Sequence, residues 1–219
     1  MPQVFHPAMN TIARAILYGV PVLSAVGGVG LAYGITASDW MTNRNVTREQ
    51  PVPFSHEHHV GGLGLDCRYC HTSVTESPYA GIPPTKTCMT CHSQIWTNAA
   101  LLAPVRESAA TQVPIAWQRV HDLPGYVYFD HSIHVAKGVG CVECHGHVEQ
   151  MPLMRKVASL QMSWCLDCHR DPAPRLRPRE EVFNMAWVPP ADRVALGRQL
   201  LEAYHVRTEQ LTNCSVCHR

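Results

Sequence analysis

The ten cysteines of this 219-residue chain fall without remainder into five Cys-x-x-Cys pairs, and a histidine follows each pair at once. The sets are Cys67/Cys70 with His71, Cys88/Cys91 with His92, Cys141/Cys144 with His145, Cys165/Cys168 with His169, and Cys214/Cys217 with His218. Only 14 residues of the chain are histidine, so five coincidences at that one position have a chance of about one in a million. The spacing has a chemical reason. Two thiols three positions apart add to the two vinyl groups of haem as thioethers, and the adjacent His is held under the iron as its proximal ligand. The pattern predicts five covalently attached haems c. A zinc ribbon uses such pairs two at a time, which leaves one over and the following His unexplained. A disulfide-stapled secreted fold does not ask for His after each pair. A thioredoxin-like centre needs one pair at a helix start, not five.

Haems also resolve a difficulty of composition. Aromatic residues are 7% and charged residues 16%, with 17 Pro and 14 Gly. Such a chain builds a thin protein core. At roughly 36 residues per haem outside the membrane, the cofactors themselves supply buried apolar surface, as metals and staples do in small scaffolds. The expected fold is mainly α with much irregular loop: one transmembrane helix, then a haem-packed multihaem cytochrome c domain. Without haem the chain is expected to be largely unfolded. The formal charge of +1 excludes a basic nucleic-acid footprint. Ionised haem propionates would bring it to about −9 and call for Arg partners. Arg155, Lys156, Arg170, Arg175, Arg177 and Arg179 are candidates, with a solvated basic face as the alternative.

Residues 15–38 carry no charge and lie between Arg14 and Asp39. As a helix they measure about 36 Å, enough to span a bilayer with some tilt. Pro21 is tolerated in such a helix, and Gly30-x-x-x-Gly34 with Gly27 and Gly28 offers a face for a second membrane helix. Tyr18, Tyr33 and Trp40 suit the interfaces. A cleaved signal peptide is the alternative, with Thr36-Ala37-Ser38 as a small-residue site, although the stretch is long for one. The expectation is a single-pass anchor in the bacterial inner membrane with residues 1–14 as a cytoplasmic leader. Covalent haem maturation outside that membrane puts 39–219 on the periplasmic side.

Two segments repeat. Phe54-x-His56-x-x-His59 precedes the motifs at Cys67 and Cys88, and Phe129-x-His131-x-x-His134 precedes those at Cys141 and Cys165, at offsets of 74 to 77 residues. A fixed offset marks internal duplication. The division expected is a linker over 39–53 and a pentahaem domain over 54–219. That domain comprises a two-haem unit at 54–92, a connector with a short helix at 93–128, a second unit at 129–169, and a segment at 170–219 carrying the fifth motif. Residues 170–179 hold three prolines that exclude a regular helix. Val194, Leu196, Leu200 and Leu201 fit a helix leading to the last motif.

Each iron needs a distal ligand if all are six-coordinate. His56, His59, His131 and His134 lead, because two His three apart on a helix lie one turn apart along one face and can serve two different haems. His58 should face away, His6 is on the wrong side of the membrane, and His121, His147 and His205 are weaker choices. For the fifth iron we expect Met162, against a packing role for a flexible apolar side chain. Met/His ligation raises the potential.

The Phe-x-His-x-x-His segments with their Cys-x-x-Cys-His motifs resemble the small multihaem cytochromes of sulfate- and metal-reducing bacteria, over 54–92 and 129–169. Cys141-Val-Glu-Cys-His145-Gly-His-Val-Glu-Gln-Met151 and Met162-Ser-Trp-Cys-Leu-Asp-Cys-His169-Arg170 resemble a narrower group, the membrane-anchored multihaem subunits of quinol-oxidising assemblies. One span with five motifs is most similar to the pentahaem c-type cytochrome component of bacterial alternative complex III; a six-haem quinone reductase cytochrome is also similar, but has one haem more. The resemblance implies as partners a large iron–sulfur subunit, polytopic quinol-binding subunits and a monohaem cytochrome. It implies relay of electrons from menaquinol oxidation to a periplasmic acceptor such as cytochrome c or a blue-copper protein, in a respiratory or photosynthetic chain. No substrate or quinol site is expected on this chain. A free-standing tethered shuttle and a multihaem reductase with one open-coordinate haem are the rival classes.

Overall fold

The computed structural model describes residues 6 and 8–218. Positions 1–5 and 7 of the expected leader, and Arg219, lie outside the described residues. The chain forms two units, Met1–Asn43 and Arg44–Arg219.

The first unit holds a long helix, Ala8–Ala37, with Pro21 inside it. It is long and apolar enough to cross a membrane, and none of it is buried. Its 30 residues correspond to about 45 Å, longer than the uncharged stretch because Arg14 and the residues before it continue the helix. Near its end Thr36 Oγ1 donates to the carbonyls of Ala32 and Tyr33 at 2.9 and 3.0 Å, which hides a polar hydroxyl against the backbone. Ser38 then caps a short turn, Asp39–Thr42, by accepting from the Met41 amide at 3.4 Å.

The second unit is built of short helices and helical turns joined by irregular chain. Among the described residues it holds no strand, only isolated bridges such as Thr47 with Arg155 and Val127 with His218. Three of the haem motifs are themselves single turns, Cys67–Cys70, Cys141–His145 and Cys214–Cys217. The second and fourth close longer helices, Thr85–His92 and Met162–Arg170. His131–Ala136 starts at Asp130, whose carboxylate accepts from the Ser132 amide at 2.8 Å. His56 leads into a wide π-type turn at Glu57–Gly62. Within the 93–128 stretch Ala103–Thr111 is helical, with Pro at its start where a missing N–H costs nothing. The helix Arg193–Ala203 is capped by Asp192.

The apolar core is small and divided. Val52, Leu102 and Val105 pack with Cys88, Met89, Ala99, Ile115 and Trp117. Met151, Leu176 and Val182 are the largest fully buried side chains elsewhere. Gly197 lets the Arg193–Ala203 helix lie directly on the turn Ala173–Arg175, since a Cβ there would collide with the Ala173 carbonyl oxygen.

Candidate haem-binding site

Three of the four distal His candidates, His59, His131 and His134, come together with motif histidines as imidazole pairs. Ring centroids of His59 and His92 are 6.3 Å apart, those of His131 and His145 6.3 Å at 9° between planes, and those of His134 and His169 6.2 Å. A metal–imidazole bond is about 2 Å and a ring nitrogen lies about 1.2 Å from its centroid, so two imidazoles on opposite sides of one metal place their centroids about 6.4 Å apart. The three pairs match that span. In each pair the first member comes from a Phe-x-His-x-x-His segment and the second from a Cys-x-x-Cys-His motif.

The rings are also turned correctly. A metal-bound His usually donates its other N–H to a carbonyl, which fixes tautomer and orientation. Nδ1 donates to a backbone carbonyl in His59 (Ser55, 2.8 Å), His134 (Asp130, 2.6 Å) and His131 (Pro78, 2.7 Å). The same holds for the motif residues His71 (Gly81, 2.6 Å), His92 (Ile95, 3.3 Å), His169 (Leu211, 2.9 Å) and His218 (Tyr126, 3.2 Å). Each leaves Nε2 for a metal. Burial, helped by the nearby His71, holds the His56 pKa down to about 4, and its Nδ1 is buried without a partner. Burial lowers His59 and His134 as well, and takes His145 to about 3. His56, His59, His134 and His145 are thereby held in the neutral form, the one that binds a metal.

The two Phe residues of the repeat hold these imidazoles in the same way. Phe54 meets His56 edge-on at 5.0 Å and stacks on His59 at 4.3 Å. Phe129 meets His131 edge-on at 4.7 Å and stacks on His134 at 4.5 Å. One aromatic ring thus orients two imidazoles that point to different motifs. That role had no signal in the sequence beyond the Phe recurring.

The fifth motif differs. Its His218 faces the Tyr126 ring at 6.0 Å. Met162, the candidate for this iron, opens the helix that carries Cys165, is 66% exposed, and stands three residues from a thiol that neighbours Cys217.

Two features were weakly legible. His121 lies against His145, ring centroids 4.4 Å apart, too close for a metal between them, and its Nε2 is 3.3 Å from His145 Nδ1. It takes the place a carbonyl holds for the other motif histidines. Glu143, inside the third motif, is met by Arg175 and Arg177 at 3.2 Å each and by Arg193. Arg177 is only 3% exposed and its guanidinium also lies 4.6 Å over the Trp187 ring. Arg177 is therefore no part of a solvated basic face. The Nε atoms of Arg177 and Arg193 are buried without a partner, and three guanidiniums on one carboxylate leave positive charge over for an anionic group such as a propionate. His147 is exposed on Glu149 and His205 sits in a left-handed turn; neither joins a ring pair. Among the described residues no three His, Cys, Asp or Glu side chains converge to hold an ion on their own, as a zinc ribbon would require.

These spacings, ring rotations and the excess guanidinium charge beside Glu143 fit haem. Comparison with known proteins agrees. The chain is 27% identical over 172 residues, covering 78% of its length and 68% of the relative's, to the menaquinone reductase multiheme cytochrome c subunit of Nitratidesulfovibrio vulgaris. Residues 127–219 match the family model of cytochrome c7 and related cytochrome c, and the chain carries a multihaem cytochrome c domain of that type.

Proposed function

We propose that this protein is a membrane-anchored pentahaem cytochrome c that relays electrons between a quinone-linked membrane complex and a periplasmic carrier. The observation that carries it is the set of three imidazole pairs at 6.2–6.3 Å. Bound haem supplies a one-electron iron couple. The chain's own residues do the rest. The paired cysteines would attach the haems, with His71, His92, His145, His169 and His218 as the motif ligands. His56, His59, His131, His134 and Met162 would supply the second ligands. With two protein ligands for each iron, no position would be left for a substrate, which suits relay over substrate chemistry.

The helix Ala8–Ala37 supports an anchor, and the similarity to a menaquinone reductase cytochrome supports quinone-linked partners. We take the assembly to be of the alternative complex III type, with menaquinol as donor. Its other members would be a large iron–sulfur subunit, polytopic quinol-binding subunits and a monohaem cytochrome, with the cytochrome domain on the periplasmic side. The test is gentle detergent extraction of native membranes, following the haem-staining band by mass spectrometry. Co-migrating iron–sulfur and polytopic chains are expected. A band that runs alone, at the mass of this chain plus five haems, defeats the complex and leaves a tethered shuttle. His218 faces no described imidazole, so an open iron is the second reading; a carbon monoxide difference spectrum on the reduced protein separates it, since a Met162-ligated iron resists the gas.

A further inference from the structure

We infer that the five motifs stand through the molecule in the order second, first, third, fourth, fifth, so that the second and fifth are the two open ends of the relay. This rests on the reading of the motifs as haem sites.

Each step has its own contacts. The second and first motifs meet through their intervening residues: Tyr69 and Thr90 hydroxyls are 2.8 Å apart, and Cys70 neighbours Cys88. His56 and His59 also lie one turn apart, on the sides of His71 and His92. The first and third motifs meet where the Cys67 thiol neighbours that of Cys141. Chain around residues 182–183 joins the same two motifs, because the Cys141 amide donates to the Val182 carbonyl at 3.2 Å and Arg68 lies 4.5 Å over the Phe183 ring. His71 and His56 both neighbour His145. The third and fourth share the turn that presents His131 to His145 and His134 to His169, and Cys144 neighbours Cys168. The fourth and fifth join where His169 Nδ1 donates to the Leu211 carbonyl at 2.9 Å and Cys165 neighbours Cys217.

The order has a structural logic. The first motif of each repeat faces the other and the second of each points outward, so the duplicated units pack head to head. That is the self-complementary contact that like units make about a two-fold axis. A solvent criterion agrees: of the ten thiols only Cys91 and Cys214 are exposed, one in the second motif and one in the fifth.

The experiment is location of the irons in the holoprotein by anomalous scattering, each assigned to its motif through its thioether bonds. The iron on His71 is expected between those on His92 and His145, and the iron on His218 next to that on His169. An iron on His92 found beside those on His145 or His218 overturns the order while leaving the relay intact. A pyridine haemochrome count below five sinks the relay reading and the order with it. The double variant C214S/C217S gives a second readout in potentiometric titration. It should lose about a fifth of the haem absorbance and shift the potential of a single remaining component, because an end has one neighbour; shifts in two components would make the fifth motif interior and overturn the order.

Discussion

Phe129 touches both His131 and His134, and that double contact makes it a sensitive single residue. Phe129→Ala removes two ring pairs, about 1–3 kcal/mol in all, and frees two imidazoles to rotate. The expected outcome is a folded protein whose low-spin iron signals in electron paramagnetic resonance broaden for two of the irons; five unchanged signals would deny the Phe this role. Glu143 is the second such residue. Glu143→Gln leaves Arg177 buried beside a neutral amide, and breaking a buried ion pair from one side costs about 3–5 kcal/mol. The fall should appear as an earlier thermal transition of the holoprotein; an unchanged transition would mean that the guanidiniums find their counter-charge elsewhere. Met162→His tests the fifth iron, whose potential should drop as a softer ligand gives way to imidazole. A titration curve identical to that of the unaltered protein would remove Met162 from the ligand set. At this scale the motif cysteines and histidines are plain in the sequence, because thioether chemistry fixes their spacing. His121 and the Glu143 cluster are not, because their partners come from residues 24 to 50 positions away, and no local pattern encodes such a meeting.

Helices here are too short to stand by propensity. His131–Ala136 has six residues, well below the length at which an isolated helix is stable in water, so its cap matters. Asp130 accepts from two amides and from the Ser132 hydroxyl, and its backbone carbonyl takes the His134 ring proton. Asp130→Ala should cost about 1 kcal/mol of stability yet leave His134 bound, since the carbonyl remains; denaturant unfolding followed at the Soret band reads the first and the low-spin spectrum the second. The helix Arg193–Ala203 is visible in its apolar spacing, and regular helix ends at Arg170 where three prolines follow. The seating of Gly197 on Ala173 is not visible. A glycine in a helix reads as a weak point, and only the neighbour's carbonyl shows it to be a contact.

At the level of the molecule the protein atoms alone bury little. The fully buried side chains are few and fall in separate places, and among the described residues of the second unit helical turns replace strands that could otherwise bind distant segments. Long-range order runs instead through histidines of the repeat and of the motifs: His131 to Pro78, His169 to Leu211 and His218 to Tyr126 each tie a ring to distant chain. Those bonds hold only if the rings are fixed, and the proposed haem ligation would fix them. On the proposed reading folding and haem attachment would be one event, in the way that small metal-dependent domains fold only around their ion. Residues 44–219 made in a compartment without haem-attachment machinery should show weak far-ultraviolet circular dichroism and rapid proteolysis throughout, whereas the matured protein should resist protease across the same span. Protease-resistant apoprotein with native helix content would show that the short helices pack without the cofactor, and the thin divided core would then have to carry a stability that its buried area does not supply.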